Sequence, residues 1–318
     1  MEDRLIVTAS PHIRDTSTTR GLMGNVVIAL LPAVLAAGLI FGVQALVLVA
    51  VTTLACVAFE YIYEKLLKKS NTVGDLSAVV TGIILALNMP VSMPLWIAVV
   101  GAFVAIVITK QLFGGLGYNF ANPALVGRIV LFLGFTSRMT AYVYPDMAVD
   151  ALASATPLAV ADKTTLPLLD VFLGFRGGMM GEVCVLAILL GFAWLLVTRT
   201  VTFTIPGVYV GTVIVCSLLT GHDVATQVFS GGLLLCAVFM ATDYTTSPTT
   251  FKGQVIFAVG LGLITCLIRF WGNMNEGAAY SILLMNLVVP YIDSLTATTP
   301  LGGEKKRRFA RAKKEGGE

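Results

Sequence analysis

The chain has 318 residues, of which 57% are hydrophobic and only 12% are charged, and its mean hydropathy is +0.87. Soluble domains carry about 25% charged residues, so this composition excludes a soluble globular domain and indicates an integral membrane protein. The net charge of +3 does not indicate a nucleic-acid partner, because seven basic residues crowd into the last fourteen positions, where they act as a topology signal.

Apolar segments alternate with polar stretches along the whole chain. A polar lead over 1–22 precedes five apolar segments, and a polar stretch over 138–181 separates them from five more, which end at a basic tail over 298–318. Most segments approach the ~20 residues that a helix needs to cross a bilayer. The sequence predicts an all-α integral membrane protein with about ten transmembrane helices, near residues 23–42, 43–63, 74–91, 93–110, 117–137, 182–198, 204–220, 226–242, 254–271 and 278–297.

The two sets of five segments indicate a duplication. Each repeat, 23–137 and 182–297, has an odd number of crossings, so the two copies would be oppositely oriented, as in many transport folds. An internal echo between Thr81–Ala86 and Gly231–Cys236 is faint. We therefore expect two inverted five-helix repeats.

Basic residues predict the orientation. With the N-terminus in the cytoplasm, sixteen Lys and Arg residues fall inside, including Lys110 and the tail, and four fall outside. This bias predicts that both termini are cytoplasmic and that the 138–181 loop is extracytoplasmic. The five cysteines lie apart in apolar runs and the two histidines are distant from each other, so no metal-binding or catalytic residue is predicted.

The loop contains a run of small residues that presents a hydroxyl group. Pro157 disfavours a helical conformation at Thr156, so the threonine should be extended, and its small neighbours, including Ser154, leave room for another enzyme to approach. Taken alone, this run is also typical of an ordinary polar connector.

Polar residues also lie at the ends of two apolar segments. Asn119 and Asn122, before Pro123, either line a cavity or only cap the fifth helix, and Arg128 one turn further on should face protein, water or a phosphate. Asp243 follows the eighth segment, where an acidic group either holds a cation or is simply solvated.

Four separated motifs resemble one family. Asp150–Leu158 resembles the flavinylation motif of the D subunits of Rnf complexes and of the homologous B subunit of the sodium-pumping NADH:quinone oxidoreductase. The other three runs are also similar to that family: Gly115–Ala124, Met240–Pro248, and Ser281–Asn286 with Pro290 and Asp293. Together, in the right order, these matches are far more specific than any one alone.

The resemblance implies an electron-transfer subunit with FMN in phosphoester linkage to Thr156, and with Asp150 and Ser154 in the same motif. The implied complex couples ferredoxin:NAD⁺ oxidoreduction to Na⁺ or H⁺ movement across a bacterial or archaeal cytoplasmic membrane. Its implied partners are the other Rnf subunits, A, B, C, E and G, and a flavin transferase. Asn119, Asn122 and Arg128 are candidate cofactor contacts, and Asp243 is a candidate for ion coupling.

The chain lacks a Rossmann glycine fingerprint and a cysteine cluster, so NAD and ferredoxin should bind to partners. Three matters stay open: which ion moves, whether a second, non-covalent flavin lies between the helices, and whether this subunit conducts the ion. A channel or solute transporter, or a structural membrane anchor, are the competing classes.

The predicted orientation can be tested by labelling in intact cells. Ser154→Cys should react with an impermeant thiol reagent added outside, whereas Ser247→Cys should not, because the charge bias places the two residues on opposite sides of the membrane. The opposite labelling pattern would overturn the topology and place the flavin on the cytoplasmic face.

Overall fold

A computed structural model describes residues 18–69, 72–143, 172–174, 177–272 and 277–298. These residues form helices and connecting turns, with no β-strand among them, so the all-helical prediction is confirmed. Thr156, Ser154 and Asp150 lie outside the described residues. In chain order the helices are α1 (Thr19–Phe41), α2 (Val43–Leu66), α3 (Ser77–Leu87), α4 (Leu95–Phe103), α5 (Pro123–Gly134), α6 (Thr136–Met139), α7 (Val185–Val197), α8 (Thr204–Thr220), α9 (Val224–Phe229), α10 (Leu233–Leu235), α11 (Phe251–Trp271) and α12 (Gly277–Thr296).

Two of these helices continue into wider, π-helical turns. Helix α4 runs on through Val104–Gln111, and α10 runs on through Cys236–Met240. A short 3₁₀ turn, Val73–Asp75, precedes α3. Single π-type turns inside helices are uncommon and occur often at functional sites.

The helices differ in length more than the prediction of about ten transmembrane helices implies. By length and composition, four of the described helices are long and apolar enough to cross a membrane: α1, α2, α11 and α12. The segment predicted near 74–91 contains the 11-residue α3, and that near 117–137 contains the 12-residue α5. At 1.5 Å per residue these helices are ~17–18 Å long, little more than half of a ~30 Å hydrocarbon core.

The two short helices α3 and α10 begin in the same way. Leu76 before α3 has φ 66° and ψ 4°, and Gly232 before α10 has φ 67° and ψ 11°. Each short helix follows two longer helices and one short turn or helix, which is Val73–Asp75 before α3 and α9 before α10. This correspondence matches Leu76 with Gly232, a register different from the echo between Thr81–Ala86 and Gly231–Cys236.

Small residues let the helices approach closely. A Cβ atom added to Gly191 of α7 would lie 2.2 Å from the carbonyl oxygen of Ala29 in α1, and one added to Gly82 of α3 would lie 2.6 Å from Cα of Thr53 in α2. Close backbone packing at small residues is a main source of helix association in membranes. The contact between α1 and α7 joins the two halves and places α3 and the π-helical turn of α10 next to each other in the interior.

Candidate functional site between the two halves

Asp243 lies in the turn that follows the π-helical segment Cys236–Met240. Its Oδ1 accepts hydrogen bonds from the backbone N–H and the hydroxyl of Thr245, at 3.3 and 3.1 Å. Its Oδ2 accepts from the Thr246 hydroxyl at 3.4 Å and from Nδ2 of Asn122 at 3.5 Å. All four donors are neutral, and within the described residues no basic side chain forms an ion pair with this carboxylate.

Burial raises the pKa of Asp243 above its ordinary value, while the hydrogen bonds from Thr245 and Thr246 oppose the shift. The carboxylate keeps partial access through a cavity, yet the surrounding protein removes most of the water around it. A desolvated carboxylate with neutral donors and no cationic partner gains more from binding a proton or a metal cation than an exposed aspartate does.

Three asparagines connect the Asp243 turn to the helices beside it. Asn122 is the N-cap of α5, because its Oδ1 accepts from the backbone N–H groups of Ala124 and Leu125 at 3.1 and 3.4 Å. Asn119 donates to the Thr245 hydroxyl at 3.2 Å. With its amide oriented to satisfy its neighbours, Asn286 of α12 donates to the carbonyl of Thr246 at 3.2 Å and accepts from the backbone N–H of Asn122 at 3.3 Å.

A cavity of about 140 Å³ opens beside this network. It is several times the ~30 Å³ that one water molecule occupies in the liquid, but smaller than the ~300–1,000 Å³ of pockets for drug-sized ligands. A cavity of this size has room for several water molecules. Its polar lining comes from both halves of the chain and includes Ser77, Thr81, Lys110, Asn119, Asn122, Thr242, Asp243 and Thr245.

A buried ion pair lies on the wall formed by the first half. Nζ of Lys110 is 2.6 Å from Oε1 of Glu60 and 2.5 Å from the hydroxyl oxygen of Ser77. Lys110 is 2% exposed and Glu60 is fully buried. The charge pattern of the sequence predicted Lys110 to be a cytoplasmic charge that closes a helix. The structure shows that the Lys110 side chain is buried next to the cavity, and the side of the membrane on which it lies stays a prediction.

Arg128 lies apart from the asparagines that precede it in the sequence. It is 1% exposed and does not line the cavity. Its Nη1 is 4.0 Å from Sγ of Cys236, and both it and a carboxylate oxygen of Glu182 lie close to Gly232. Arg128 therefore faces protein, one of the alternatives expected from its position, and it is not part of the Asp243 network.

The structure thus brings Asp243 next to Asn119 and Asn122, which lie in a distant part of the sequence. Arg128 is not part of this group. Glu60, Ser77, Lys110 and Asn286 were not predicted as site residues. A signal for Glu60 was present, since a carboxylate within an apolar span is costly and usually has a specific partner.

The fold and the cavity define a multi-pass helical membrane protein with a polar site in its interior. Residues 6–302 match the NQR2, RnfD, RnfE family. The D subunit of the Na(+)-translocating ferredoxin:NAD(+) oxidoreductase complex of Acetobacterium woodii is 46% identical, over 98% of this chain and 99% of that protein. The D subunit of the proton-translocating ferredoxin:NAD(+) oxidoreductase complex of Clostridium ljungdahlii is 37% identical, over 93% and 96%.

The D subunit of the ion-translocating oxidoreductase complex of Stutzerimonas stutzeri is also 37% identical, over 87% of this chain and 90% of that protein. Both the family match and these identities extend over most of the chain. The chain belongs to the NQR2, RnfD, RnfE family, and the family predicted from the four motifs is confirmed.

Asn122 offers a test of how the site is held together. We expect Asn122→Ala to lower the free energy of unfolding by about 0.5–2 kcal/mol, because the N-cap of α5 is lost. Asn122→Ser is the matched control, since serine caps a helix but cannot reach Asp243 as the longer amide does. Thermal unfolding of the purified protein in detergent measures both, and equal stability of wild type and Asn122→Ala would contradict the capping role.

Proposed function

We propose that this chain is the membrane electron-transfer subunit of an ion-translocating ferredoxin:NAD⁺ oxidoreductase, with FMN attached through a phosphoester to Thr156. The observation that carries the proposal is 46% identity, over nearly the whole chain, to the D subunit of such a complex. The flavinylation-like run Asp150–Leu158 supports the cofactor. The other subunits, A, B, C, E and G, would supply the NAD and ferredoxin sites, and a flavin transferase would attach the FMN.

The bound flavin would supply one- and two-electron chemistry. Thr156 would provide the hydroxyl that holds the phosphate, Ser154 would position the loop or take part in recognition by the transferase, and Asp150 would be the acidic residue of the motif. A tether suits an extracytoplasmic loop, because no cytoplasmic flavin pool is available there to refill an empty site. The flavin would still move over the length of the loop.

We further propose that the chain forms two inverted repeats with both termini in the cytoplasm. The matching left-handed residues before α3 and α10 support the duplication. The excess of basic residues predicted for the cytoplasmic side supports the orientation. In this arrangement the short helices of the two repeats meet in the interior, where transport proteins of this kind place their ion sites.

The cavity beside Asp243 is the proposed site of the ion step. Its carboxylate has only neutral donors around it, so a proton or a cation that enters the cavity would balance its charge. The relatives named above include both Na⁺-translocating and proton-translocating complexes. Na⁺ is the first ion to test, because the relative with 46% identity is named for it.

The flavin assignment predicts the behaviour of Thr156→Ala. This variant should lose all covalent flavin and remain inserted in the membrane, because the substitution removes the attachment hydroxyl and changes little else. In-gel fluorescence of the denatured protein measures covalent flavin directly, and Ser154→Ala, the control, should lose less. A dark wild-type band would instead favour a channel, a solute transporter or a structural anchor, and fluorescence in Thr156→Ala would show that another residue carries the flavin.

The ion step predicts that Asp243→Asn keeps flavin attachment and complex assembly, because the amide has nearly the same shape and can still hydrogen-bond. Na⁺-stimulated ferredoxin:NAD⁺ oxidoreduction by the complex should fall about tenfold or more, which corresponds to ~1.4 kcal/mol or more of cation binding. Asp223→Asn is the matched control, since Asp223 is exposed, far from the cavity lining, and caps α9, a role that asparagine also fills. Unchanged stimulation in Asp243→Asn would exclude this residue from coupling, and loss of assembly would indicate a structural role.

A further inference from the structure

Lys110 carries a positive charge on the wall of a cavity whose proposed ligand is also a cation. The side chain is 2% exposed and lines the same cavity as Asp243. A buried ammonium group this close to a cation site would oppose binding unless it had a specific role. Its hydrogen bonds show how it is held in place.

Two partners fix the ammonium group. The hydroxyl of Ser77 and the backbone N–H of Ser77 both donate to Oδ1 of Asp75, the latter at 2.8 Å. Because the serine proton is directed to Asp75, the serine oxygen acts as an acceptor towards Lys110, at 2.5 Å. On its other side Lys110 donates to Oε1 of Glu60 at 2.6 Å.

Glu60 has an unused capacity for cations. Its Oε1 accepts from both Lys110 and Nε2 of Gln111, the latter at 2.8 Å, whereas its Oε2 has no hydrogen-bond partner among the described residues. Without the ammonium group, a fully buried carboxylate would lie next to the cavity with no cation to balance its charge. The negative charge of Glu60 would then add to that of Asp243, and a mobile cation in the cavity would bind more tightly.

We propose that Lys110 acts as a tethered cation that occupies Glu60, limits the cavity to one mobile monovalent cation at Asp243, and keeps that cation weakly enough bound to leave during turnover. The inference rests on the proposed ion step at Asp243. Lys110 is a positioning residue in this account, since it acts on the mobile ion through charge and does not bind it.

The proposal predicts a signed series of half-saturating Na⁺ concentrations for ferredoxin:NAD⁺ oxidoreduction by the complex. Lys110→Met leaves Glu60 negative, so the half-saturating concentration should fall by about two- to twentyfold. A unit charge ~10 Å from a bound ion changes the affinity for that ion by about these two factors when the effective dielectric constant is about 80 or about 20. Glu60→Gln leaves Lys110 positive and should raise the half-saturating Na⁺ concentration by a similar factor. The double variant removes both charges and should return to within about twofold of wild type.

The assay uses the membrane-embedded complex, with NaCl replaced by choline chloride at constant ionic strength. Lys252→Met is the matched control, because Lys252 is solvent-exposed and does not line the cavity, so salt screens its charge and the half-saturating concentration should not change. A purely structural ion pair predicts a different pattern, in which both single variants lose assembly and the double variant regains it without any signed shift.

Removing one member of a buried pair can prevent folding, so a second variant carries the same test. Asp75→Asn keeps Lys110 and Glu60 and also keeps the hydrogen bonds from Ser77, because an amide oxygen still accepts, but it removes a negative charge one hydrogen bond away from Lys110. It should raise the half-saturating Na⁺ concentration, as Glu60→Gln does. Unchanged half-saturation in Asp75→Asn and in whichever single variants assemble would overturn the proposal. If Asp243→Asn abolishes the Na⁺ response while the variants around Lys110 leave the half-saturating Na⁺ concentration unchanged, only the inference about Lys110 fails. A wild-type complex that does not respond to Na⁺ refutes the Na⁺ step at Asp243 itself.

Discussion

The structure depends on one constraint, which is that backbone groups at helix ends must find partners inside the protein when no water is near. Helices α3, α5 and α10 are too short to carry their ends to both membrane surfaces, so their terminal N–H and C=O groups lie in the interior. Polar side chains satisfy these groups. Asn122 caps the start of α5, and Asn88 at the end of α3 donates to the carbonyl of Ile84 at 2.7 Å.

This constraint also produces the candidate site. One side chain that terminates a short helix also lines the cavity, because a helix end in the interior requires side chains that can hydrogen-bond. Asn122 serves both purposes, since its Oδ1 caps α5 and its Nδ2 contacts Asp243. A helix end in the interior therefore supplies part of the polar lining of the cavity, and Asp243 and Lys110 supply charged groups that no helix end requires.

Composition and motifs predicted the helical membrane fold, the family and Asn119, Asn122 and Asp243 as separate candidate residues, because hydropathy and short polar signals are local properties of the sequence. They did not predict that Asp243 lies next to the two asparagines, because that contact joins distant parts of the chain. They did not predict that α3 and α5 are short, although Asn88 with Pro90 is a signal that ends a helix and Asn122 with Pro123 is a signal that starts one. They also missed the inward position of Lys110. The π-helical turn Val104–Gln111 shifts the helical register at that residue, and a periodicity drawn for a regular helix cannot show such a shift.

The proposed flavin and the proposed ion site are predicted to lie towards opposite faces of the membrane, so coupling between them requires an element with two arrangements that both sites influence. The π-helical turn Cys236–Met240 has contacts at both of its ends that are relevant to such an element. At one end Cys236 is 4.0 Å from the buried Arg128, and at the other Met240 is 3.8 Å from Nδ2 of Asn88 and leads directly into the Asp243 turn. Because a π-helical turn pairs its backbone groups differently from an α-helix, converting one into the other changes the register of the residues that directly follow it, and in this chain those residues form the Asp243 turn.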